Sequence, residues 1–142
     1  MTQTLKFKQS SQLDPALSDP ATRTLNADKL IGRWANTGAE TEGLTEIVIE
    51  QDGEHFFVSA AGVGESDPVP WPRTKATALA NLEEEAGQRA LALAVDFDFG
   101  FMKAETYLRV NKGVLVIVAY HTFTDGSLRS NYVNREFFYR RD

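Results

Sequence analysis

The sequence contains no cysteine, two histidines, two methionines and five prolines. Without a thiol there is no disulfide scaffold, thiolate zinc site, iron–sulfur cluster or cysteine nucleophile. Two histidines without a matching ligand pattern give no reason to expect a metal, and no motif asks for a cofactor. No stretch approaches the ~18 consecutive apolar residues of a membrane span. The longest apolar run, Val114 to Tyr120, has the length of a strand. The first residues, Met1 to Ser10, lack the apolar segment of a signal peptide. Positive charge is also scarce: 15 Lys+Arg against 20 Asp+Glu leave a net charge of -5, the wrong sign for a general nucleic-acid binder. These absences lead us to expect a cytoplasmic protein with no membrane and no nucleic-acid partner.

What is present fits one domain. The chain has 142 residues, 42% of them hydrophobic and 25% charged. Residues 1–25 are polar and aperiodic, with Pro15 and Pro20, and read as an arm, flexible or strapped over the domain of residues 26–142. Asn26 to Leu30 reads as one capped helical turn, with the Asn26 side chain accepting from the amides that follow.

From Gly32 onward the text becomes short alternating runs divided by turn signals. The runs are Arg33–Thr37, Leu44–Gln51, His55–Val63, Arg73–Ala80, Arg89–Phe97, Met102–Val110, Val114–Phe123 and Leu128–Arg140. Asp52-Gly53, Glu83–Gly87, Asn111–Gly113 and Thr124–Gly126 separate them, glycine supplying the positive φ of a tight turn. The Ala-rich text from Thr74 to Ala94 has helix propensity as well, but the two-residue alternation on both sides of Asn81 and Gly87 favours a hairpin. Eight short strands with tight connections predict an all-β fold: an eight-stranded antiparallel up-and-down β-barrel. A β-sandwich is the alternative.

Leu30-Ile31-Gly32-Arg33-Trp34 carries a resemblance. A G-x-W placed after a helical turn and opening the first strand resembles the calycin superfamily, the lipocalin-like barrels. There the Trp plugs the closed end and a basic residue of the last strand covers it. The resemblance implies that role for Trp34, with Arg135 or Arg140 as its cover, and implies small-molecule binding inside the barrel. It extends over most of residues 26–141 but points to no particular member, and the disulfide of secreted lipocalins has no counterpart here.

Up-and-down topology places the Gly38–Gly43, Gly64–Trp71, Asp98–Gly100 and Thr124–Gly126 connections at the open end. Residues of that half are candidates for ligand contact: Asn36, Phe57, Trp71, Tyr120, His121, Arg129 and Asn131. One residue of register decides which of them face inward. Either Tyr120 or His121 does, and either Arg129 with Asn131 or Tyr132 with Ser130.

Two functions from different classes follow. One is an intracellular binding protein for a small hydrophobic or amphipathic molecule. The alternative is a barrel enzyme, an isomerase, cyclase or dehydratase, with His121, Tyr120 and Arg129 as acid–base or polarising groups. Strand seven is apolar on both faces, Val114, Val116 and Val118 against Leu115, Ile117 and Ala119, so its outer face is expected to be covered by the arm or by a second copy in a homodimer.

Overall fold

A computed structural model describes residues 26–80 and 90–141. The expected arm (1–25) and the Glu83–Gly87 turn lie outside the described residues. Eight strands follow in order: β1 (Gly32–Asn36), β2 (Leu44–Asp52), β3 (His55–Gly62), β4 (Val69–Ala80), β5 (Ala90–Asp98), β6 (Met102–Asn111), β7 (Val114–Phe123) and β8 (Tyr132–Arg141). Each is antiparallel to the next, and β8 pairs with β1 to close the barrel. Closure excludes the sandwich, because no strand edge is left at either end of the order.

The alternation in the text is the inside–outside alternation of the wall. On β6, Met102, Ala104, Thr106 and Leu108 are buried while Lys103, Glu105, Tyr107 and Arg109 are exposed. Thr106 is the one polar residue in that inward series, and its hydroxyl donates to Val95 O at 2.9 Å. The Asn111–Val114 connection is a two-residue hairpin with positive φ at both Lys112 (52°) and Gly113 (80°). That turn geometry matches the right-handed twist of the strands it joins.

Two strand starts differ from the sequence reading by more than one residue. β4 starts at Val69 rather than Arg73, taking in Pro70 and Pro72. Proline lacks an amide hydrogen, but this half of β4 has no β5 partner, since β5 pairs only with Thr77–Ala80. On the β3 side the register shifts between Val58 and Ala60, opposite these prolines. An unpaired edge beside a bulge is where a strand tolerates proline. β8 starts at Tyr132 rather than Leu128, which projects fully into solvent in the preceding loop.

At the closed end, Asn26 Oδ1 accepts from the Asp28 amide at 2.9 Å, and the Leu30 and Ile31 amides donate to Ala27 O. This is a single turn, and there is no helix among the described residues. Trp34 is 1% exposed, and its indole donates to Leu30 O at 2.9 Å. Its cross-strand partner on β8 is Arg140. The Arg140 guanidinium lies 4.6 Å from the Trp34 ring and donates to Ile31 O and to Lys29 O, the latter at 2.7 Å. Gly32 makes room for it: its φ is +140°, and a Cβ there would stand 2.7 Å from Arg140 Nη1. Arg135 lies on the outer face, over Phe137 at 5.3 Å, so Arg140 is the cover of Trp34.

The outer face of β7 carries half-buried Val114, Val116 and Val118 beside exposed Tyr107, Tyr120, Phe137 and Tyr139.

In urea denaturation, Gly32→Ala is expected to cost about 2 kcal/mol, through its backbone conformation and the displaced guanidinium. Arg140→Lys is expected to cost about 1–2 kcal/mol, because an ammonium cannot serve two carbonyls and a ring face at once. Arg135→Lys should stay within about 0.5 kcal/mol. Equal costs for the two arginines would overturn this assignment of the plug.

Candidate functional site

Side-chain size along the inward positions decides where the interior is full. In the closed half and the middle these positions are Trp34, Ile47, Ile49, Val58, Leu93, Val95, Leu108, Leu115 and Phe138, all buried in one cluster. Toward the open end several become small, Ala60, Gly62, Ala104 and Ala119, beside the larger Leu44, Phe97 and Met102. A wall of fixed diameter lined by small residues encloses space, whereas one lined by large residues fills it.

A cavity of about 270 Å³ occupies the open end. Ile117 and Ala119 of β7 form its apolar floor, with Leu44, Gly62, Val63 and Val69 around them. Trp71 closes one side and meets Phe97 and Phe99 edge-on, with centroids 5.0 and 4.9 Å away. Tyr132 stacks on the His121 ring at 4.2 Å, near the rim. A second hollow of about 310 Å³ lies at the closed end between Lys29, Trp34, Val110, Lys112, Gly113 and Arg140. It is the socket of the plug, and its guanidinium is already held by backbone carbonyls.

The polar groups of the open cavity sit together on the β7–β8 wall. His121 is 5% exposed, and its Nε2 lies 2.9 Å from Asn134 Oδ1. When Nε2 donates to that oxygen, Nδ1 is left with its lone pair. Nδ1 is buried and has no hydrogen-bond partner. Glu136 lies opposite Ile117 and is half-buried. Its Oε1 accepts from Thr41 Oγ1 at 3.1 Å and from Asn36 Nδ2 at 3.4 Å, and its Oε2 accepts from the Leu44 amide at 3.2 Å. Gly43 permits this approach, since a Cβ at that position would collide with the Glu136 carboxylate. The carboxylate thus ties the loop between β1 and β2 to the last strand.

The sequence candidates separate clearly. Trp71 and His121 line the cavity. Asn36 stands behind it, donating to Leu44 O at 2.8 Å and steadying Glu136. Tyr120 points outward, and Phe57 lies on the outer face beneath the Arg73 guanidinium at 3.8 Å. Arg129 and Asn131 belong to the loop before β8 and are absent from the cavity lining. Arg129 pairs with Asp125 at 2.6 Å and lies over Phe123, while Asn131 Oδ1 accepts the Phe123 amide at 2.9 Å. Of the alternatives left open by register, His121 and Tyr132 line the cavity, while Ser130, grouped with Tyr132, is exposed in the loop before β8.

Sequence reading missed Asn134 and Glu136. The signal for them was parity: both are an even number of residues from Phe138, which is buried in the core. Among the described residues no group of three or more His, Asp or Glu side chains could hold a metal ion.

Fold and site together define a closed eight-stranded antiparallel barrel, calycin-like in form, with a part-polar cavity at one end. No protein-family model, no curated protein and no solved structure matches the chain.

The loop before β8 supplies a pH prediction. The Ser127 hydroxyl and amide, and then Arg129, hold the Asp125 carboxyl down to about 2 from an ordinary 3.8. A depressed folded value means that the stabilisation is fully present above the unfolded value and is lost as pH falls through the folded one. Carboxyl NMR should therefore show Asp125 titrating near pH 2, with the loop unchanged from neutral pH down to about 4. A midpoint at 3.8 would show that the loop does not hold this conformation.

Proposed function

We propose that the protein is a calycin-like binding protein that holds one small amphipathic molecule in the open-end cavity. The observation that carries this reading is the coincidence, in about 270 Å³, of an apolar floor, an aromatic side wall and the polar side chains of His121, Asn134 and Glu136. Pockets that bind small molecules share this composition: mostly apolar lining with a few converging polar groups. The barrel wall supplies rigidity, because His121 and Glu136 are held on strands rather than on loops.

The enzyme alternative named Tyr120 and Arg129 together with His121 as acid–base or polarising groups. One faces solvent from the outer wall and the other is paired in the loop before β8, so neither supports catalysis in this cavity.

The binding reading is tested through the wall. Ala119 sits on the floor of the cavity, and Ala119→Leu would fill much of it while keeping an inward apolar residue. Titration with a panel of one-ring and branched-alkyl compounds, followed by calorimetry and by the fluorescence of Trp71, should find uptake by the native chain. Ala119→Leu should weaken that uptake at least ~10-fold, at a stability cost of about 1–3 kcal/mol from overpacking. A variant that takes up the same compounds equally well would place their binding elsewhere and end this reading. Trp34 lies at the opposite end of the barrel, so a Trp71→Phe variant separates the two fluorescence signals.

A further inference from the structure

We infer that the occupant of the open-end cavity is a cation, a small amphipathic amine whose ammonium group lies against the Glu136–His121 wall and whose apolar body rests on Ile117, Ala119 and Trp71. This rests on the binding reading above and adds the chemical class of the ligand.

The first observation is the charge of the lining. The cavity includes two carboxylates, Glu42 and Glu136, and no lysine or arginine. Glu136 receives hydrogen bonds from an amide, a hydroxyl and a carboxamide, all of them neutral donors. The ion pairs among the described residues join Arg33 to Glu46, Arg73 to Glu50 and Arg129 to Asp125, and none involves Glu136. A half-buried carboxylate without a cation beside it presents a negative potential to whatever enters, and low-polarity surroundings strengthen that potential. An anionic ligand such as a fatty acid would meet repulsion here and no compensating charge.

The second observation concerns the wall around that carboxylate. His121 is 95% removed from solvent, its Nε2 is matched to Asn134 Oδ1 at 2.9 Å, and its Nδ1 is closed off from the cavity. The charged acceptor that this wall offers a ligand is therefore the Glu136 carboxylate. An ammonium group has three donors and no acceptor, which suits it.

The aromatic pair completes the site. Trp71 and Tyr132 both line the cavity, and the face of an indole or phenol attracts a cation electrostatically. Size limits the rest of the molecule. A cavity of about 270 Å³ has room for a single ring or a short branched chain, and not for a retinoid or a long acyl chain.

The experiment compares three ligands that share one phenylethyl-type body and differ in the head group: phenethylamine, phenethyl alcohol and hydrocinnamate. Affinities for the full chain are measured by calorimetry at neutral pH and low salt. Phenethylamine should bind at least ~10-fold tighter than the alcohol, and hydrocinnamate should be the weakest. Glu136→Gln should remove the advantage of the amine and leave the alcohol within about twofold. Glu136 also ties down the loop between β1 and β2, so circular dichroism and the alcohol's own affinity report whether the variant has kept its fold. Glu42→Gln, an exposed change on the rim, gives a second reading with little risk to folding and should reduce the amine's advantage in part. Equal affinities for amine and alcohol, or tighter binding of hydrocinnamate, would overturn the cation assignment and leave the binding function standing. Failure of all three ligands to bind would overturn both.

Discussion

The site depends on a short ladder. β1 has five residues, and its pairing with β8 closes the barrel through Arg33–Arg141, Trp34–Arg140, Ala35–Tyr139 and Asn36–Phe138. Cross-strand partners share a face, so Trp34 turned inward takes Arg140 with it. The same parity carries Phe138, Glu136 and Asn134 to the interior, and Tyr139, Phe137 and Arg135 to the exterior. A slip of one residue would invert every one of these. It would put Arg135 and Phe137 inside and leave Glu136 in solvent. The contact of Arg140 with Trp34 and with the carbonyls of the turn opposes that slip. The guanidinium meets ring and backbone together only in the observed register, and only because position 32 has no Cβ. The plug at one end thus sets the chemistry at the other.

The cavity is likewise a consequence of side-chain volume, not of any special loop. Across the closed half, branched and aromatic residues interdigitate to the density of an ordinary core. At the open end four inward positions are reduced to alanine or glycine, and the wall cannot contract around them because its diameter follows from strand number and tilt. Trp71 partly compensates. It reaches in from a stretch of β4 bounded by an unpaired edge, where the flanking prolines, by fixing φ, stiffen the backbone that carries it. Its edge-on contacts with Phe97 and Phe99 fix the ring from behind and leave the cavity beside it.

Much of this was legible in the sequence, for a physical reason. Alternation with a period of two is imposed by one face meeting water and the other meeting the core. It was therefore plain on β6, where Lys103, Glu105 and Arg109 mark the outer face. The closed barrel, and with it the placing of Trp71 and His121 in the open half, rests on that pattern, whereas the Gly32–Trp34 plug was implied by the resemblance of its G-x-W to lipocalin-like barrels. It was weakest where both faces are mixed. On β8, Tyr132, Val133, Phe137 and Tyr139 are all exposed, so hydrophobicity did not reveal which residues point inward. The loop before β8 added to this. Asp125, Ser127, Arg129 and Asn131 build a hydrogen-bonded segment that occupies the text read as the start of the strand. Arg129 and Asn131 looked like rim residues because of their place in the chain, yet their side chains are spent on the loop. Phe57 misled differently: it is flanked by Phe56 and Val58, and only the register shows that those two face the core while Phe57 lies under Arg73.

Parity also explains why the decisive polar groups were hard to see. Glu136 stands between Arg135 and Phe137, in text that reads as the charged end of a solvent-facing strand. Its role emerges only when the inward register brings it beneath Gly43 and opposite Ile117. Once there, its neighbours have a shared character. Its oxygens take the Thr41 hydroxyl and the Leu44 amide, and the Asn134 oxygen lies against His121, so what faces the cavity is weighted toward acceptors. In such a site the apolar floor contributes affinity to any small body of suitable shape but discriminates weakly, since one methylene more or less is worth only ~1–3 kcal/mol. Discrimination would come from the polar groups of the β7–β8 wall, the Glu136 carboxylate first, because a ligand without donors leaves them unmatched. Whatever selectivity the proposed pocket has therefore resides in the β7–β8 wall, and that wall faces inward because of a register fixed at the far end of the barrel.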